Sequence, residues 1–121
     1  MKVKGLVLWV QDNELSVKFY KKLGFRIIES NERHSLLKIG DFEIYLVNMR
    51  DEDEFGKDSM TIHKGLGSYL YVQVEDVDKK YNELTDKGIV ASAKPRTWDW
   101  GRREFVVKDS DGYKLCFYTE V

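Results

Sequence analysis

Cysteine, proline and histidine are scarce in this chain, with one, one and two residues respectively among 121. The single Cys116 excludes an intrachain disulfide and a zinc site built from cysteines. His34 lies near a turn and His63 in a segment without apolar periodicity; neither has a matching partner, and both read as solvated groups rather than metal ligands. An excess of one charge is also missing, since 20 basic and 21 acidic residues leave a formal net charge of -1 and no Lys/Arg block stands out. The electrostatic footprint of a nucleic-acid binder is therefore absent, and anionic membranes are unsuited partners. The N-terminal apolar stretch, Leu6 to Val10, is too short for a signal-peptide core or a membrane span, so a soluble cytoplasmic protein is expected.

What is present suffices for one compact core: 42% of the residues are hydrophobic, in a chain too short for two independent domains. Val3 to Val10 reads as a strand apolar on both sides, with Leu6, Leu8 and Val10 on one face. Asp12 stands where a helix N-cap belongs and Gly24 where a C-cap belongs, predicting a helix to about Leu23. Its apolar stripe is expected to comprise Val17, Tyr20 and Leu23, with Leu15 and Phe19 beside them. Strands are predicted at Phe25 to Ser30, His34 to Ile39 and Phe42 to Val47, separated by the turn pairs Asn31-Glu32 and Gly40-Asp41. From residue 49 to 66 the periodicity stops; this segment is expected to be a linker or a flap.

The pattern then restarts. Val74-Glu75-Asp76 repeats Val10-Gln11-Asp12, and Gly88 repeats Gly24 at the same interval, so a second strand-helix unit spans about Ser68 to Lys87 with Asp76 as its cap. A short strand near Ile89 to Ala93, a loop through Pro95, strands at Arg102 to Lys108 and Tyr113 to Thr119, and a turn at Asp109 to Gly112 complete it. The order β-α-β-β-β occurs twice, predicting an α+β layer with helices on one sheet face. Trp98 to Gly112, WDWGRREFVVKDSDG, gathers aromatic faces, cations and carboxylates at one end of a predicted strand, either as a small-molecule grip or as an edge hairpin with solvated charges.

With FYKKLGF in the first half, VEDVDKKYNELTDKGI in the second and a closing DSDGYKLCF, the chain resembles the vicinal oxygen chelate superfamily of glyoxalases, extradiol dioxygenases and bleomycin and fosfomycin resistance proteins. The resemblance covers essentially the whole chain. It implies a single domain of two βαβββ modules, residues 1–48 and 67–121, whose eight strands form a curved cup around a ligand. Metal-using members take ligands from cup-facing strand positions that correspond here to Gly5, Tyr45, Tyr69 and Cys116. None is a histidine or carboxylate, so no metal and no other cofactor is expected. Trp100-Gly101-Arg102-Arg103-Glu104-Phe105, followed by Asp109 and Gly112, is similar to the W-G-x-R-E-F-x-x-x-D-P-x-G-N run of bleomycin resistance proteins, which are metal-free dimeric binders of a cationic glycopeptide. Ser110 and Tyr113 depart from that run, and the likeness supports the branch better than the antibiotic.

Strand alternation sends Val7 and Trp9, Glu43 and Tyr45, Tyr69 and Tyr71, and Cys116 and Tyr118 away from the helices. Tyrosine and tryptophan on such a face bury a ring and keep a polar handle, which suits flat or cationic ligands. The expected ligand-binding set is Trp9, Tyr45, Tyr69, Tyr71, Trp98, Asp99, Trp100, Arg103, Glu104, Cys116 and Tyr118, with no catalytic residue. Glu104 is read either as a ligand's charge partner or as an ion pair with Arg102 or Arg103. The expected function is sequestration of an aromatic or cationic small molecule, a bleomycin-type antibiotic among the candidates, by a homodimer of bacterial resistance-protein type. The alternative is a lyase- or dioxygenase-like enzyme with an altered site, using Cys116 or Tyr69 as the reactive group.

Overall fold

The structure is a computed structural model that describes residues 1–50, 60 and 64–121. Most of the expected linker or flap, including His63, lies outside the described residues. The chain divides into two compact units, Met1–Ile62 and His63–Val121. Each is a βαβββ module, and together they give the α+β class expected from the repeat.

In the first unit, β1 (Gly5–Val10) leads into α1 (Asn13–Leu23), followed by β2 (Arg26–Ser30), β3 (His34–Ile39) and β4 (Phe42–Asn48). The sheet order is β1-β4-β3-β2, with β1 and β4 parallel and the remaining pairs antiparallel. In the second unit, β5 (Leu70–Gln73), α2 (Val77–Asp86), β6 (Arg96–Thr97), β7 (Arg102–Lys108) and β8 (Lys114–Glu120) repeat that order as β5-β8-β7-β6. The parallel pair recurs as β5 and β8.

The repeat extends to the caps. Asp12 and Asp76 adopt nearly the same extended backbone, φ -138° ψ 100° and φ -137° ψ 102°, and accept from Leu15 N at 3.2 Å and Lys79 N at 3.1 Å. Each carboxylate thus satisfies an amide that the first helical turn leaves without a partner. Gly24 and Gly88 leave the helices at φ 108° and 82°, in the left-handed region that a side chain would disfavour.

Helix α1 is rotated from its expected stripe. Tyr20 and Leu23 are buried, but so are Asn13 and Ser16, whereas Leu15 is 51% exposed. The cause is polar: Asn13 Nδ2 donates to Asn31 O at 2.6 Å, the Asn13 backbone N–H donates to Asn48 Oδ1 at 2.8 Å, and Asn48 Nδ2 donates to Glu32 O at 2.8 Å. Buried N–H groups require such partners, and these bonds hold the Asn13 face of α1 inward, although Asn13 Oδ1 and Ser16 Oγ find no partner among the described residues. Tyr20 then packs edge-on against Phe25 at 5.3 Å.

The strand expected at Ile89 to Ala93 is absent. Ile89 N bonds back to Leu84 O at 2.9 Å, committing that backbone to the end of α2, and a single bond from Ser92 N to Val106 O follows. The strand that pairs with β7 is instead β6, beyond Pro95. Asp109, in the DSDG turn, is buried and accepts from Asp111 N and Tyr113 N at 2.9 Å each; it builds the β7-β8 turn. Among the described residues no helix is long and apolar enough to cross a membrane.

Candidate functional site

Both faces of the second sheet follow from strand alternation. Phe105, Val107, Leu115 and Phe117 are buried on the helix side, where Tyr81 of α2 meets Phe105 edge-on at 5.4 Å. Glu104, Val106 and Cys116 point to the opposite side, and there a cavity of about 490 Å³ is lined, among the described residues, by the second unit. That volume suits a small organic molecule. Tyr69, Tyr71, Trp98 and Trp100 supply its rings, Lys94, Arg96 and Glu104 its charges, and Ser92, Ala93, Phe105, Val106 and Cys116 the rest.

The tryptophans are brought together by a tight turn. Trp98 N donates to Arg102 O at 2.8 Å and Gly101 N to Trp98 O at 3.2 Å. The two indoles consequently stack with centroids 4.7 Å apart and planes 8° from parallel. Trp100 remains 57% exposed, so its ring serves a surface rather than the core. Arg96 lies over Trp98 at 3.9 Å.

On the adjoining wall, Tyr71 donates its hydroxyl to Glu104 Oε2 at 2.5 Å, which raises the phenol's pKa. Cys116 sits beside them. Burial, reinforced by the negative charge of Glu104 and a hydrogen bond to it, pushes the thiol up to about 12. It is therefore neutral near pH 7, and neither a ready nucleophile nor a ready metal ligand. A second Tyr-Glu pair occupies the corresponding sheet face of the first unit. There Tyr45 donates to Glu43 at 2.7 Å, and that bond lowers the Glu43 pKa and raises that of Tyr45.

Of the residues singled out in the sequence, Tyr69, Tyr71, Trp98, Trp100, Glu104 and Cys116 line the cavity. Tyr118 stands behind it, packed on Tyr71 at 4.4 Å. Asp99 is exposed in the turn and outside the lining. Arg103 faces the helix: its guanidinium donates to both carboxylate oxygens of Asp78 at 3.0 Å and to Thr97 Oγ1 at 3.2 Å. It is a structural clamp between α2 and β7, because the residue next to a cavity-facing Glu104 must point the other way. Neither arginine ion-pairs with Glu104, since Arg102 lies 3.8 Å from Glu120 and over the rings of Tyr118 and Tyr71. Trp9 and Tyr45 belong to the first unit, where Arg50 lies over Trp9 at 5.4 Å.

Lys94 and Arg96 are lining residues that the sequence reading missed. Part of the signal was available: Arg96 and Trp98 stand two residues apart where the chain runs extended into the turn, the spacing that places side chains on one side.

The four positions at which the resemblance places metal ligands do not fit a divalent ion. Gly5 has no donor, Tyr45 is engaged by Glu43, Tyr69 has the Lys114 ammonium 5.1 Å from its ring, and the Cys116 thiol is held neutral. Among the described residues, no three of His, Cys, Asp and Glu gather as a cation site.

A family model described as Glyoxalase/Bleomycin resistance protein/Dioxygenase superfamily matches residues 2–117. The uncharacterized protein YraH of Bacillus subtilis (strain 168) is 32% identical over 125 residues, covering 98% of each chain. A glyoxalase/bleomycin resistance protein/dioxygenase from Nocardioides has a TM-score of 0.77 at 18% identity, over 100% of this chain and 84% of that one. A hypothetical protein from S. aureus also has a TM-score of 0.77, at 24% identity over 98% and 94% of the two chains. At these identities the solved structures bear on the fold alone.

Proposed function

The chain belongs to the glyoxalase/bleomycin resistance protein/dioxygenase superfamily, and within it we propose that this protein is a metal-free binder that sequesters a small aromatic molecule in the cavity of its second unit. The observation that carries this reading is the lining itself: four large aromatic rings converge on one cavity beside a thiol that burial keeps neutral. Rings held in place offer stacking surface at little entropic cost, whereas a protonated thiol gives covalent catalysis no nucleophile. The sequence resemblance adds a bleomycin-type antibiotic as a candidate occupant, although the lining cations Lys94 and Arg96 oppose its positive charge.

Trp100→Ala is expected to weaken binding of a flat aromatic probe by about 1 to 3 kcal/mol, the usual cost of removing a stacked anchor. Its stability should barely change, because the ring is largely solvent-facing. Calorimetric titration of wild type and variant with bleomycin and with naphthylmethanol, alongside urea melts, checks both halves. The absence of saturable binding of either probe to the wild type would remove the binding reading.

We further propose that the protein works as a homodimer. The first sheet ends in β1 and β2 and the second in β5 and β6, and edge strands are natural sites for association. Light scattering over a dilution series is expected to give a mass above that of the 14.3 kDa chain; a monomer at every concentration would overturn the proposal.

A further inference from the structure

The cavity's rings are already furnished with cations from the protein. Arg96 covers Trp98 at 3.9 Å, Arg102 lies 5.0 Å from the Tyr71 ring, and Lys114 lies 5.1 Å from that of Tyr69. Of the four tyrosine and tryptophan residues in the lining, only Trp100 has no such cation over its ring among the described residues. A cationic ligand stacking on the other three would meet a like charge at faces whose attraction is already used. Glu104, the one carboxylate in the lining among the described residues, is engaged by the Tyr71 hydroxyl. Lys94 and Arg96, by contrast, have no carboxylate within ion-pair distance among the described residues. The Arg96 guanidinium, centred over the Trp98 indole, brings five N–H donors to the lining, and such donors receive a carboxylate.

We propose, resting on the binding reading above, that the cavity selects an aromatic ligand bearing an anionic group: the ring lies against the tryptophan and tyrosine walls, and the anion meets Arg96 and Lys94. Among the described residues, two lining cations against one occupied carboxylate set the sign. Both cations are exposed, so the preference is modest and depends on salt.

The test is calorimetric titration of the full chain with three probes that share one ring: naphthoate, naphthylmethanol and naphthylmethylammonium. Naphthoate is expected to bind tightest and the ammonium weakest, with about tenfold between them at low salt, as two exposed charge contacts allow. High salt should shrink the gap. In R96Q and K94Q the ratio of naphthoate to naphthylmethylammonium affinity should fall severalfold, whereas damage to the fold alone would lower both affinities and leave the ratio in place. An ammonium probe that binds as well as naphthoate, or a ratio unmoved in both variants, overturns the anion preference and leaves aromatic binding intact. No binding of any of the three overturns the binding reading as well.

Discussion

Phe117→Ala is expected to cost about 3 to 5 kcal/mol of folding free energy, the range for deleting a buried aromatic ring. Phe117 is 1% exposed at the centre of β8, the strand that pairs with β5 on one side and β7 on the other. Its ring stacks on Phe105 at 5.3 Å, with planes 20° apart, and Lys80 of α2 lies over it at 5.6 Å. Alanine would leave a void under the helix and strip Phe105 of its neighbour. Against a typical domain stability of about 5 to 15 kcal/mol, such a loss leaves a fragile protein. A urea melt should show a much lower midpoint with an unchanged slope. A midpoint close to that of the wild type would mean that Phe117 does not anchor this core.

Gly5→His, the substitution that would install a metal-ligating imidazole where the resemblance expects one, should instead destabilise the first unit by about 3 kcal/mol, the upper end for inserted volume. A Cβ at position 5 would stand 2.0 Å from Glu43 O and 2.8 Å from Glu43 C. Both are backbone atoms of the neighbouring strand, paired in register with Gly5. Neither can swing aside as a flexible side chain would, so β1 and β4 must separate at that point or β1 must fray. The glycine is there because the strands approach too closely for any side chain. Zinc titration monitored by calorimetry, together with a melt, is the check. An undisturbed melt accompanied by new stoichiometric zinc binding would show that the position can carry a ligand.

Element order was legible in the chain because caps and alternation are local signals. Asp12, Asp76, Gly24 and Gly88 announced both helices, and the N-cap backbone of the two aspartates is nearly identical in the two units. Where reading failed at α1, a nonlocal partner had intervened. The Asn13-Asn31-Asn48 network turned α1 so that Leu15 faces outward. The second miss was local: the bond from Ile89 N back to Leu84 O closes the end of α2, and the strand that pairs with β7 lies beyond Pro95. Period-based reading counts apolar residues and is blind to buried amides whose partners lie on other strands.

The sequence by itself determined the repeated βαβββ order, the family, and the gathering of aromatics around Trp98 to Gly112, since each is written in short-range spacing or in residue type. Tertiary structure alone decided how those side chains are shared out. It set Arg103 against Asp78 and away from the cavity, joined Tyr71 to Glu104 across strands, stacked Trp98 on Trp100, and laid Arg96, Arg102 and Lys114 over rings. Those contacts depend on register between β5, β6, β7 and β8 and on the facing of α2, which arise only when distant segments pack. Charge and aromatic content can be counted along a chain, but which ring meets which cation is settled by the sheet that brings them together.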